Sequence, residues 1–217
     1  MLSALTILTM RIESIKTDPD RLGRFWVALE DGHKLALYRQ TVEEFGLYPG
    51  KDLSEDQWAL LQESAGAMSA KMRAVRIVAA SSVSKKDLQH RLVQKGEDPE
   101  QAAQAVAWME ELHLVDDAET ARQVISRCIA KGYGLQRAKQ ALYEKKIPKQ
   151  YWDEALENYP DQIQHILAYL HTRLDEDSDP KEVKKAIDAL LRRGHSYSQI
   201  RLALQRMWMD PDEFPEE

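Results

Sequence analysis

The sequence predicts a mainly α-helical protein of tandem three-helix repeats stacked as a solenoid, preceded by a small β-hairpin or three-stranded β region. Three observations carry this. The stretch Lys131–Pro148 (KGYGLQRAKQALYEKKIP) has one variant before it, Ser84–Asp98 (SKKDLQHRLVQKGED), and one after it, Lys181–Ser196 (KEVKKAIDALLRRGHS). In register, Leu88, Ala138 and Ala186 align, as do Leu92, Leu142 and Leu190, at offsets of 50 and 48 residues, a period typical of helical arrays. Near the start, Asp31-Gly32 separates the strand-like runs Arg24–Glu30 and His33–Tyr38, the pattern of a hairpin with a two-residue loop.

Taken in order, Met10–Lys16 supplies a third strand beside that hairpin, since an isolated hairpin is only marginally stable. Thr41-Val42-Glu43-Glu44 has the form of a capping box opening a short helix that Gly46 and Pro49-Gly50 end. Ser54-Glu55-Asp56-Gln57 is a second box, with Trp58, Leu60 and Leu61 on the helix it starts; that helix runs on or breaks near Gly66. Met68, Met72, Val75 and Val78 or Ala79 then form the first helix of the first repeat.

Each second helix ends alike. A basic residue (Lys95, Lys145, Arg193) precedes Gly96, Lys146 or Gly194, and glycine takes the left-handed terminal conformation without a Cβ penalty. The middle copy has lysine there, with Pro148 as a second stop. Ser84 caps the second helix of repeat one. Asp98-Pro99-Glu100-Gln101 and Ser196-Tyr197-Ser198-Gln199 start the third helices with a cap and a glutamine reaching back. Beyond them Ala102, Val106 and Met109 align with Trp152, Leu156 and Tyr159 and with Ile200, Leu204 and Met207, each trio on one helical face.

Repeat two opens at Asp116-Asp117, whose charges suit a helix N-terminus, runs through Ala121–Cys128, stops at Gly132, and continues with helices over about 135–145 and 149–158. Repeat three opens at Pro160-Asp161, with Ile163, Ile166, Leu167, Leu170 and Leu174 at helical spacing. The acidic run 175–179 lacks the glycine and terminal glutamate of a calcium loop and reads as a connector ending in the cap Asp179 before Pro180. The expected division is a β-containing extension over 1–65, repeats over 66–115, 116–159 and 160–209, and an acidic tail over 210–217.

Bulk properties narrow the function. The 217 residues carry a net charge of −6, divided as −4 over 1–69, +2 over 70–159 and −4 over 160–217; a protein held mainly by phosphate contacts would show a stronger basic excess. No apolar run approaches a bilayer span. Residues 1–10 lack a basic leader and a cleavage site, so the expectation is a cytoplasmic monomer without a membrane partner, with Met10 as an alternative start. The single cysteine, Cys128, falls at apolar spacing with Ala121, Val124 and Ile125 and reads as a buried core thiol. Neither a phosphate-binding glycine loop nor HExxH nor CxxC occurs. The six histidines lie in different elements. No catalytic constellation, cofactor site or metal site is expected.

The pattern resembles the RecX family, regulators of the bacterial recombinase RecA. The residues that carry the resemblance are Ser84-Lys-Lys-Asp-Leu, Leu92-Val-Gln-Lys-Gly96, Trp108-Met-Glu-Glu-Leu-His-Leu-Val-Asp-Asp117, Ala121, Lys131-Gly-Tyr-Gly134 and Leu142–Ile147. It covers residues 10–207 and is strongest over 70–159. It departs at His113, where the family usually has glycine, and at Ser81 and Ser82, where arginine is common; histidine tolerates a left-handed turn. The resemblance implies an elongated, curved stack of three-helix units and a non-enzymatic role in DNA repair, recombination and the SOS response. That role is to bind the RecA filament on single-stranded DNA and limit its extension, ATPase, strand exchange and coprotease activity, with weak contact to the DNA itself. Partner or DNA contacts are expected from Lys85, Lys86, Arg91, Lys95, Arg137, Lys139, Lys145, Lys146 and Lys149. The alternative is a helix-turn-helix-like protein that binds DNA directly, against which the mild charge and the lack of grouped base-reading residues on a third helix count.

Overall fold

Alternating apolar residues over Met10–Thr17 (β1), Arg24–Leu29 (β2) and Lys34–Tyr38 (β3) produce an antiparallel sheet. In the computed structural model, which describes residues 10–175 and 177–208, a two-residue fourth strand, Asp52–Leu53 (β4), extends it to the order β3-β2-β1-β4. Three strands were expected; β4 joins by pairing Met10 with Leu53 and Arg11 with Asp52. The hairpin loop also differs from the expected two residues. Leu29 N–H donates to His33 O, Gly32 N–H donates to Leu29 O, and Gly32 alone of the loop has positive φ (91°). A two-residue primed turn needs positive φ at both central positions, so the chain uses a three-residue loop, Glu30-Asp31-Gly32, with a glycine bulge.

Helix α1 (Arg39–Glu44) begins two residues before the predicted box. Thr41 therefore lies inside it, buried, with Oγ1 lacking a hydrogen-bond partner. Helix α2 (Glu55–Ala80) opens with the predicted box: Ser54 Oγ accepts from Gln57 N–H while Gln57 Oε1 accepts from Ser54 N–H. It runs unbroken through Gly66. Glycine costs a helix about 1 kcal/mol relative to alanine; a Cβ here would meet the amide end of the Gln101 side chain, which would have to turn aside. That glutamine reaches Glu63 O on α2 instead of turning back to its own cap. Trp58 and Leu61 are buried under the sheet with Ile12, Val27, Leu29, Leu37 and Leu53, whereas Leu60 is 58% exposed.

The chain divides into two compact units, one formed by the chain up to Ser82 with Leu88–Val115, the other by Val83–Asp87 with the chain from Asp116. In the first, α4 (Pro99–Glu111) packs on α2 and buries Ala102, Ala105 and Met109, with Asp98 capping Glu100 and Gln101. Helix α3 (Lys85–Gln94) carries the buried Leu88 and Leu92.

The second unit continues with α5 (Asp117–Ala130), α6 (Leu135–Glu144), a 3-10 turn at Lys149–Tyr151 and α7 (Trp152–Leu156); then α8 (Gln162–His171), α9 (Pro180–Arg192) and α10 (Tyr197–Trp208). Where one helix over 149–158 was expected, a 3-10 turn and five α-helical residues stand, and Trp152, Leu156 and Tyr159 are only half-buried. One core gathers Ala121, Val124, Ile125, Cys128, Ala138, Leu142 and Ile147; another gathers Ile166, Leu170, Leu174, Ala186, Leu190, Ile200 and Ala203. Asp179 forms a full capping box with Glu182 ahead of Pro180, and Ser196 does so with Gln199. The predicted acidic tail lies outside the described residues, as do residues 1–9 and Glu176.

The three second helices end in one geometry. Gly96, Lys146 and Gly194 have φ of 88°, 54° and 87°, and the residue after each donates its N–H five positions back, to Leu92 O, Leu142 O and Leu190 O. This is the Schellman closure. The donors, Glu97, Ile147 and His195, are all buried.

Glu97 needs help to be there. Its carboxylate, on a residue 8% exposed, accepts from Arg73 Nε and from Ser69 Oγ at 3.1 Å. Arg73→Met is expected to cost about 3–5 kcal/mol in urea unfolding, because it leaves a buried carboxylate without its charge partner. The double variant Arg73→Met, Glu97→Leu should recover most of that loss.

Candidate functional site

Helix ends expose four unpaired N–H or C=O groups each, and in the second unit these groups join one repeat to the next. At the C-terminal end of α9, Arg193 O accepts the Gly134 N–H at 2.8 Å and Gly194 O accepts the Gln136 N–H at 3.3 Å. The N-terminus of α6, which has no side-chain cap, is thus closed by the end of α9. Opposed dipole ends favour the contact, and the approach needs bare backbone: a Cβ at Gly134 would overlap the Gly194 carbonyl, and one at Gly194 would overlap Arg137 N.

The other end of α6 repeats the arrangement with a side chain. Ser84 Oγ donates to Lys145 O at 2.6 Å while accepting from Asp87 N–H at 3.1 Å. Asp117 Oδ1 accepts from Lys85 N–H at 2.8 Å, and Lys146 Nζ reaches Asp87 Oδ1 at 3.2 Å. Ser84, Asp87 and Asp117 are buried, so this is a satisfied polar node. The non-glycine φ of Lys146 carries a cost on the order of 1–3 kcal/mol that the ion pair helps to offset.

The nine predicted contact residues fall into distinct settings. Lys85, Lys145 and Lys146 are half-buried at the Ser84–Asp117 node. Arg137 is half-buried and pairs with Glu144 at 3.2 Å. Lys139 is exposed and lines a cavity of about 390 Å³ together with Asp153 and Glu157. Lys86 and Lys149 are exposed in the same unit; Arg91, half-buried, and Lys95, exposed, belong to the first unit. The structure therefore brings three together at one node and leaves the exposed ones spread along several elements. Sequence reasoning missed the node itself: Ser84 and Asp117 read as local caps, and nothing local showed that each also reaches another helix. It also missed Ser198, Arg201 and Gln205, which α10 exposes at spacings of three and four.

Desolvation sets the proton affinity of three side chains here. Desolvation raises the Cys128 thiol above its ordinary value, which suits a core position and disfavours a nucleophile. Tyr159 is pushed up to about 12 by burial, and its hydroxyl donates to Tyr133 O at 2.7 Å. His195 behaves oppositely, its pKa lowered first by burial. Its Nε2 lies 3.2 Å from Gly132 O and so carries the hydrogen, while Nδ1 is buried without a partner.

A family model described as RecX, second three-helix domain, matches residues 116–156. The chain is 32% identical over 131 residues to the regulatory protein RecX of Chlorobaculum tepidum, covering 59% of this chain and 81% of that protein. It is 21% identical over 203 residues to the regulatory protein RecX of Clostridioides difficile, covering 91% and 94%. Among solved structures, a regulatory protein RecX superposes with a TM-score of 0.61 at 19% identity, over 90% of this chain and 99% of that one. RecX from Lactobacillus salivarius gives 0.58 at 18%, over 66% and 97%. These likenesses share the mainly helical fold.

Two outcomes follow from the joint. Gly134→Ala is expected to destabilise the protein by about 1–3 kcal/mol in urea melts, the cost of overpacking a closed contact. The folded His195 pKa lies below the free-side-chain 6.5, so the unfolded chain takes up the proton first. Stability is then full above pH 6.5 and declines as pH falls towards the folded value; melting temperatures should drop more steeply below pH 6.5 for the wild type than for His195→Gln.

Proposed function

The chain belongs to the RecX family of regulatory proteins, and from that premise we propose that it regulates RecA by contact, without bond-making chemistry of its own. It binds the RecA filament on single-stranded DNA and limits its extension, ATPase, strand exchange and coprotease activity, acting as a cytoplasmic monomer. No helix among the described residues is long and apolar enough to cross a membrane.

The observation that carries this reading is the repeated joint. Second helices meet end to end at both ends of α6, so the same kind of helix-end joint recurs within the second unit. A partner that itself repeats, as a filament does, meets such a scaffold at several points, and weak contacts then add through effective concentration. The repeats are assigned to 66–115, 116–159 and 160–209, after the β-containing extension. The contact residues we assign are Lys86, Lys95, Lys139 and Lys149, which are exposed, with Lys85, Arg91, Arg137, Lys145 and Lys146 beside them.

Substoichiometric amounts of this protein should lower the DNA-dependent ATPase of RecA; a folded sample without effect at any ratio overturns the reading. The combined variant Lys86→Glu, Lys139→Glu, Lys149→Glu should need roughly tenfold more protein for the same inhibition, whereas Cys128→Ser should inhibit like the wild type. A second reading, direct duplex binding of helix-turn-helix type, draws on the exposed Ser198, Arg201 and Gln205 of α10, residue types that reach base edges. Titration of labelled duplex without RecA separates the two.

A further inference from the structure

One face of the N-terminal sheet is accounted for by packing. Ile12, Val27, Leu29 and Leu37 are buried in the core beside α2, with Ile15 and Leu35 packed against them. The opposite face is not. Register pairs Lys16 with Trp26 and Trp26 with Ala36 across the three strands, and Ser14 with Ala28 and Ala28 with Lys34 in the adjacent row. Side chains alternate between faces of a strand, so these residues share the outer surface.

Its composition is unusual for a solvent-facing sheet. Trp26, on the strand between β1 and β3, is 42% exposed. Its neighbours Ser14, Ala28 and Ala36 are small, and Ser14 and Ala28 floor a shallow cavity of about 490 Å³ bounded by Trp26, Thr17, Pro19, Lys16 and Lys34. Lys16 and Lys34 are exposed on the strands either side of the tryptophan; Lys16 is directly opposite Trp26, about one strand spacing of 4.8 Å away, and Lys34, the partner of Ala28, lies diagonally to it. Arg24, two residues before Trp26, holds its guanidinium 5.7 Å from the indole centroid. The cavity lining includes two lysines and no carboxylate. Asp18 and Asp20 flank Pro19 at the rim, Asp18 accepting from Asp20 N–H at 3.1 Å; at the hairpin loop Glu30 lies 3.9 Å from Arg11 and Asp31 lies 3.0 Å from His33.

We propose that this outer sheet face, centred on Trp26 and flanked by Lys16, Lys34 and Arg24, binds single-stranded nucleic acid by stacking a base on the indole and pairing the neighbouring phosphates with the cations. A 42% exposed indole beside alanine and serine, with the Arg24 guanidinium over part of its ring, offers a sequence-tolerant platform for a planar base, and cations on both sides track a polyanionic backbone; that pairing of aromatic shelf and basic flanks is how single strands are held. An unstacked base is needed, which a duplex does not supply. The inference stands on the sheet alone and goes beyond the regulation of RecA, because its ligand is the nucleic acid with no second protein present.

The test is fluorescence anisotropy of a labelled oligothymidylate of about 25 nucleotides titrated with the full chain at low salt. The wild type should bind. Trp26→Ala should weaken binding roughly tenfold, the contribution of one stacked base, and Trp26→Phe should retain most of the affinity. Lys16→Gln with Lys34→Gln should flatten the dependence of log affinity on log salt by about 1.4, two phosphate contacts on a single strand. An abasic strand of equal length should bind wild type and Trp26→Ala alike. Trp26 lies outside the core, so circular dichroism should show every variant folded. Equal affinity of wild type and Trp26→Ala for the oligothymidylate overturns the proposal, as does polyglutamate of equal charge competing as well as the oligonucleotide, which would make the face a docking site for acidic protein. Inhibition of RecA by the wild type, measured alongside, decides the regulatory reading separately from either result.

Discussion

The end-to-end meeting of second helices is the constraint on which the rest of this helical architecture depends. A helix terminus must find partners for its orphan backbone groups, and α6 finds them in its neighbours: Gly134 and Gln136 N–H against the carbonyls of Arg193 and Gly194 at one end, Lys145 O against Ser84 Oγ at the other. Each junction demands a left-handed residue at the stop so that the chain turns away while its carbonyls stay presented. Gly194 meets that demand freely. Lys146 meets it against its own Cβ, and the bond from its ammonium to Asp87 shows how the same turn is held where glycine is absent.

From this joint the buried polar groups become intelligible. The Schellman closure places the residue after the stop in the interior each time. In the middle repeat it is Ile147, and nothing further is needed. In the first it is Glu97, which requires Arg73 and Ser69; in the third it is His195, which gives one nitrogen to Gly132 O and leaves the other bare. One backbone geometry thus generates an apolar contact, a buried ion pair and a pH-sensitive imidazole, according to the side chain that occupies it.

Function divides along the same line between backbone and surface. The joints use up Lys146 and enclose Lys85 and Lys145, so the cations open to a partner are those the joints do not engage, such as Lys86, Lys95 and Lys149. A regulator working by contact needs spacing more than reactivity, and the desolvated thiol of Cys128 belongs with that reading. The N-terminal sheet adds something the helices lack, an aromatic shelf among lysines, and its outer face is chemically independent of the core it covers.

Much of this was legible in the residues because it is local. The caps at Ser54, Asp98, Asp179 and Ser196 and the stops at Gly96 and Gly194 rest on interactions within five residues along the chain, and the apolar positions at Leu88, Leu92, Leu142 and Leu190 show in helical spacing, which periodicity records directly. Even the left-handed turn at His113 (φ 55°) was readable from what histidine tolerates. Tertiary structure alone decided the three-residue hairpin loop, the early start of α1, the continuity of α2 through Gly66, and above all the pairing of Ser84 with Lys145 and of Gly134 with Arg193, about 60 residues apart. The physical reason is that a cap or a glycine announces a backbone group in need of a partner or of space, whereas the identity of that partner depends on which helix end arrives beside it, and no local pattern carries that.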